Sequence, residues 1–265
     1  MRARRARSIR PRPRRGPKST AAKRPTPRVR HAPPLLSSPA LEARYIAIEG
    51  AIGAGKSTLA RILAERTASR LVVEPDEENP FLARFYGDPR AHAFQTQLFY
   101  LLSRYQQQAS ISQGDLFSRG TVCDYLFAKD RIFAALTLDE QEFKLYDRIY
   151  SMLDAQLPRP DLVVFLQARP DVLLERIRKR ARTSETKIRP EYVEELAAAY
   201  GQFFFHYTET PLLVVSVSDI DFEKNDADRE GLLREIDRTK TGVHHYIPLG
   251  TTQRAMSFDD PKKRK

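Results

Sequence analysis

Gly50, Ala51, Ile52, Gly53, Ala54, Gly55, Lys56 and Ser57 follow one another in the order G-x-x-x-x-G-K-S, with Thr58 next. An apolar run precedes them and residues 58–66 carry helical periodicity, the strand–loop–helix setting in which this spacing cradles phosphate. Glycines at 50, 53 and 55 allow a tight turn whose N–H groups point at phosphate oxygens, and the helix that follows adds its positive end. Residues 50–58 are the candidate ATP site. Lys56 is expected to reach the β and γ phosphates, and the Ser57 hydroxyl to ligate Mg²⁺.

A phosphate cradle says nothing about the acceptor. Glu74 closes the second apolar run, where an α/β sheet presents its ligand crevice. A carboxylate there can take the proton of an attacking hydroxyl; Asp76, Glu77 and Glu78 sit alongside, so ordinary surface charge is the competing reading. Arg176 and Arg180 are four apart and share one helix face, which suits two guanidiniums aimed at a transferring phosphoryl group. A solvated face with a Glu175–Lys179 pair is the alternative. No Asn-Lys-x-Asp guanine-reading motif occurs.

The elements that must position these residues alternate. Short apolar runs at 45–48, 71–74, 121–124, 162–167 and 212–217 read as strands, separated by longer helical stretches, the pattern of a parallel sheet with crossover helices. Residues 91–108 read as a helix with Phe94, Leu98, Leu101, Leu102 and Tyr105 on one side. Another helix begins at Pro190 and carries Tyr192, Val193, Leu196, Tyr200, Phe203, Phe204 and Tyr207, whose aromatic rings are expected in the core. The expected fold is α/β, a P-loop NTPase with a five-stranded parallel sheet, helices on both faces and an Arg-rich lid.

The net charge of +11 belongs to a tail. Residues 1–30 hold 13 Arg and Lys and no acid; the remaining 32 basic and 34 acidic residues nearly cancel. Residues 1–43 also hold eight of the 18 prolines and are expected to be a disordered basic extension. An organelle transit segment, an electrostatic arm for nucleic acid or anionic membrane, and an inert extension are the three readings of it. The domain is expected over 44–240, followed by a tail over 241–265 that ends in a short basic run. No apolar run approaches the roughly 18 to 20 residues of a membrane span, and the single cysteine, Cys123, fits a reducing compartment. A cytoplasmic location is the expectation.

In order and spacing the chain resembles the deoxynucleoside kinases. The resemblance rests on residues 49–58, Glu74-Pro75, Phe94-Gln95-Thr96, residues 124–133, residues 162–167 and the Arg-rich stretch 176–182. It implies ATP-dependent phosphorylation of a deoxynucleoside 5′-hydroxyl with Mg²⁺. By that resemblance Glu74 is the general base, Gln95 pairs with the nucleobase and Tyr86 holds the sugar 3′-hydroxyl. Arg176, Arg180 and Arg182 belong to the lid, and Glu185 is a lid carboxylate near the sugar. Asp124 keeps the family's carboxylate after the third strand, suited to Mg²⁺. The arginine that normally follows it is replaced by Tyr125, so either Arg131 supplies that charge or the arrangement differs. Asp130 falls where relatives that accept purines or deoxycytidine hold an aspartate. The resemblance also implies a homodimer. Two alternatives stay open: a thymidylate-type nucleoside monophosphate kinase, and a nucleic-acid-associated P-loop ATPase.

Overall fold

A computed structural model of the chain describes residues 45–74, 79–111, 120–181 and 188–248. The basic extension at 1–43 and the end of the tail lie outside the described residues. The apolar runs form strands β1 (Tyr45–Glu49), β2 (Arg70–Val72), β3 (Thr121–Cys123), β4 (Leu162–Gln167) and β5 (Leu212–Ser216). The helices are α1 (Lys56–Thr67), α2 (Leu82–Gly87), α3 (Pro89–Ala109), α4 (Lys129–Thr137), α5 (Glu140–Asp154), α6 (Pro170–Arg180), α7 (Pro190–Phe205) and α8 (Asp226–Arg238). A sixth strand, β6 (Val243–Tyr246), corrects the expectation of five. It lies in the segment read as tail, and its sequence Val-His-His-Tyr is mostly exposed, so it carries no apolar run to announce it.

All pairings are parallel, in the order β2-β3-β1-β4-β5-β6. Central strands covered on both faces must be apolar throughout rather than alternating. β4 obeys this, with Leu162, Val163, Val164, Phe165 and Leu166 all buried. The order reverses direction at β1, so the crevice at the carboxyl ends of β1 and its neighbours is the topological position for a ligand. The aromatic run of α7 closes one face of the sheet as expected: Phe165 stacks on Phe204 with ring centroids 4.2 Å apart, and Tyr200 is buried beside them. Among the described residues no helix is long and apolar enough to cross a membrane.

Side-chain caps fix where several helices begin. Asp88 accepts from Ala91 N–H ahead of α3. Asp139 and Glu142 form a reciprocal capping box at α5, and Asn225 caps α8. At the end of β1, Glu49 is fully buried. Its Oε1 accepts from Gly50 N–H at 2.9 Å and from the Tyr200 hydroxyl at 3.1 Å, while Oε2 accepts from Leu126 N–H at 2.7 Å. One carboxylate thereby joins the sheet, the start of the phosphate loop, the segment after β3 and α7. Glu49→Ala strips acceptors from two buried N–H groups, and each such orphan costs about 1–3 kcal/mol. The expected loss in unfolding free energy is about 3 kcal/mol, read from urea denaturation.

Candidate active site

The loop from Gly50 to α1 has the geometry its glycines demand. Gly53 (φ 86°) and Gly55 (φ 101°) lie in the left-handed region. A Cβ at Gly53 would stand 2.9 Å from the Leu173 carbonyl, and one at Gly55 would meet the Phe222 ring at the same distance. α1 opens on Gly55 without a side-chain cap, which leaves its first N–H groups available to an anion. Lys56 folds over the loop and donates to the carbonyls of Gly50 at 2.8 Å and Ala51 at 3.4 Å. Burial lowers its pKa, partly opposed by Glu49.

Asp124, just past β3, is 2% exposed. Its Oδ2 accepts from Ser57 Oγ at 2.7 Å and its Oδ1 from the Glu74 N–H at 2.7 Å. The phosphate loop and the end of β2 are therefore tied to one carboxylate. The Glu74 side chain, about one-third exposed, meets two buried cations: Arg104 of α3, through Nη2 at 2.6 Å, and Lys129 of α4, through Nζ at 2.6 Å. Burial works against its ionisation, but Lys129 and Arg104 outweigh it and hold the carboxyl well below the usual range. Arg104 also pairs through Nη1 with Asp130 Oδ1. Asp130 is 1% exposed, its Oδ2 has no hydrogen-bond partner among the described residues, and burial pushes its pKa up to about 6 against Arg104 and Lys129.

Several expected positions move. Gln95 is exposed, whereas Gln97 is 6% exposed and donates to Thr137 Oγ1 at 3.1 Å. The buried stripe of α3 runs through Ala93, Gln97, Leu101, Arg104 and Gln108, at spacings of three and four. Gln95 stands about 200° around the helix from Gln97, on the side of exposed Leu102. The inward amide is thus Gln97. Arg131 pairs with Asp147 of α5 at 2.8 Å and lies over the Tyr150 ring. Two residues beyond Lys129 on one helix, it points the other way, so the cation beside Glu74 is Lys129. Tyr125 is fully buried with its hydroxyl on Gln107 Oε1 at 2.6 Å, packed with Val72, Ile111 and Cys123.

Arg176 and Arg180 share a cleft with Gly53, Gly55, Thr58 and Phe222, as their common helix face predicts. Arg176 is held by backbone, however: its Nη2 donates to the carbonyls of Val217 at 2.7 Å and Ile220 at 3.3 Å, tying α6 to the loop after β5. Arg182 and Glu185 lie outside the described residues, and so does the side chain of Tyr86 on α2. Arg104 and Lys129 are the functional candidates that motif reading missed. Arg104 had a signal, since it sits three residues after Leu101 and seven after Gln97 on the buried stripe. Lys129 had none beyond a lysine next to Asp130.

A family model described as deoxynucleoside kinase matches residues 46–240. The chain belongs to the deoxynucleoside kinase family. Among its relatives, the deoxyguanosine kinase of Bacillus subtilis is 35% identical over 199 residues, covering 73% of this chain and 96% of that one. The deoxyadenosine kinase of Dictyostelium discoideum is 36% identical, covering 64% and 71%. A solved structure of deoxyadenosine kinase from M. mycoides with bound dATP superposes with a TM-score of 0.62 at 25% identity, covering 73% of this chain and 99% of that one. This kinase accordingly transfers a phosphoryl group from ATP to a deoxynucleoside. The family decides between the nucleoside and the thymidylate-type readings in favour of the first.

Gln97→Ala is expected to raise KM for the deoxynucleoside at least tenfold, the loss of roughly 1.4 kcal/mol from one buried amide contact. Gln95→Ala should leave KM within about twofold of the parent. Steady-state kinetics on both variants checks the assignment.

Proposed function

We propose that the acceptor is the 5′-hydroxyl of a purine deoxynucleoside or deoxycytidine, with Glu74 as general base and Asp130 and Gln97 reading the nucleobase. The observation that carries this reading is Asp130 Oδ2, a buried acceptor without a partner among the described residues, beside Arg104 and Gln97. A buried acceptor left empty is costly. An exocyclic amino group of adenine, guanine or cytosine would supply the missing donor, whereas thymine carries no exocyclic amino group and donates only through its ring N3–H. The relatives named for deoxyguanosine and deoxyadenosine support the same class.

In the reaction Glu74 accepts the hydroxyl proton as the new O–P bond forms. The bond from the γ phosphorus to the β,γ-bridging oxygen breaks, and ADP leaves with that electron pair. A carboxylate held this far towards its ionised form is a weak base, yet phosphoryl transfer asks mainly for positioning and charge stabilisation. Lys56, the loop N–H groups and the start of α1 are placed to take the phosphates, and Arg176 and Arg180 line the same side. Mg²⁺ fits this site: Ser57 Oγ and Asp124 Oδ2 are hard oxygen donors beside the phosphate loop. When bound, the ion would supply charge stabilisation on the phosphates.

The deciding experiment is a panel of the four deoxynucleosides, the ribonucleosides and dTMP with ATP. Turnover of deoxyadenosine, deoxyguanosine or deoxycytidine well above thymidine is expected; thymidine as the best substrate would refute the Asp130 reading. Glu74→Gln should lower kcat by about 10²–10⁴ while ATP affinity stays within a few-fold. Unchanged turnover would remove Glu74 from the base role.

A further inference from the structure

Three nitrogen donors converge on a single oxygen of Glu74. Arg104 reaches Oε1 with Nε at 3.1 Å and Nη2 at 2.6 Å, and Lys129 reaches the same oxygen with Nζ at 2.6 Å. Oε2 receives no hydrogen bond among the described residues. Donors crowded on one oxygen fix the carboxylate plane and leave the lone pairs of the other to accept a proton.

The two cations are not equivalent. Arg104 is shared between Glu74 and Asp130, so its position answers to both carboxylates. Among the described residues Lys129 forms its ion pair with Glu74 alone. Its placement is unfavourable on two counts. It is 5% exposed, and a buried ammonium is costly unless paired. It is also the first residue of α4, where the helix dipole disfavours a positive charge. Stability alone would select an apolar or acidic side chain there. Tyr125, standing where the family carries an arginine, is turned into the core with its hydroxyl on Gln107, and the Lys129 ammonium lies over its ring, 6.0 Å from the centroid.

We propose that Lys129 is the positioning residue for the catalytic carboxylate: it anchors Oε1 of Glu74 so that Oε2 meets the acceptor hydroxyl, and it replaces, from the start of α4, the arginine lost at Tyr125. The proposal rests on the reading of Glu74 as general base. Proton transfer to Oε2 leaves Lys129 and Arg104 beside a neutral acid as the negatively charged phosphate ester forms.

The test is a double-mutant cycle between Lys129→Gln and Glu74→Gln with Lys129→Arg as the rescue. Turnover is normalised to ATP sites titrated with a non-hydrolysable ATP analogue, so that unfolded protein does not count. Lys129→Gln should lower kcat about 100-fold, within the range of a misplaced general base, with KM for deoxynucleoside and ATP within about threefold. Lys129→Arg should recover at least a tenth of the parent kcat. In the Glu74→Gln background, Lys129→Gln should lower kcat by less than about threefold further, because the group it positions is gone. Parent-like kcat in Lys129→Gln, a full second loss in the double variant, or no recovery in Lys129→Arg overturns the proposal. A Glu74→Gln enzyme with parent turnover would instead overturn the base reading. A collapsed Glu74→Gln beside a parent-like Lys129→Gln would sink only the role of Lys129.

Discussion

Asp124 divides its two oxygens between the phosphate loop and the end of β2. One oxygen holds the Ser57 hydroxyl of the phosphate loop and the other holds the backbone N–H of Glu74. The spacing between the phosphate loop and Glu74 is thereby set by a single short side chain at the end of β3. Few arrangements are stiffer, because each hydrogen bond constrains an element already fixed by the sheet. The parallel sheet makes this possible by bringing the ends of β1, β2 and β3 to one edge.

Around this joint the protein concentrates charge that it could not leave unpaired. Glu74 and Asp130 face Arg104 and Lys129, with Lys56 close by. Removing such groups from water costs several kcal/mol per ion, and replacement of buried pairs by apolar side chains is often neutral or stabilising. The cluster therefore calls for a reason other than its contribution to the fold. Arg104 carries the connection between its two halves, one guanidinium bridging the carboxylate proposed to meet the sugar and the one proposed to meet the base. The two carboxylates share one cation, so a change at either is felt at the other.

The phosphate half of the site was legible because its chemistry resides in backbone conformation, and glycine spacing encodes that directly. Glu74 was legible for a related reason: it ends an apolar run, and strand ends are where a parallel sheet displays function; Asp124 came from the family resemblance. The acceptor half was harder to read because it depends on helix phase. Gln95 and Gln97 are the same residue type two positions apart, and only the rotation of α3 against its neighbours decides which turns inward. Arg131 and Lys129 pose the same ambiguity on α4. Periodicity offered Leu101 as a reference for α3, but the exposed Leu102 blurred it by one position. Tyr125 illustrates a different limit, since a missing arginine in one motif does not disclose which other element replaces it. β6 escaped because a short edge strand buries too little to need an apolar sequence.

The strand order has a consequence for how the protein is made. β1, which carries the phosphate loop, does not pair with β2, the next strand in the sequence, but lies between β3 and β4: Ile46 pairs with Leu162, and Tyr45 N–H reaches Asp161 across 116 residues of chain. A ribosome synthesising at roughly 5–20 residues per second therefore exposes the whole phosphate motif for several seconds before the strand that seals it has been translated. During that interval the nascent chain holds every residue of the nucleotide cradle and has no cradle, and a message truncated ahead of β4 would encode the motif without the site.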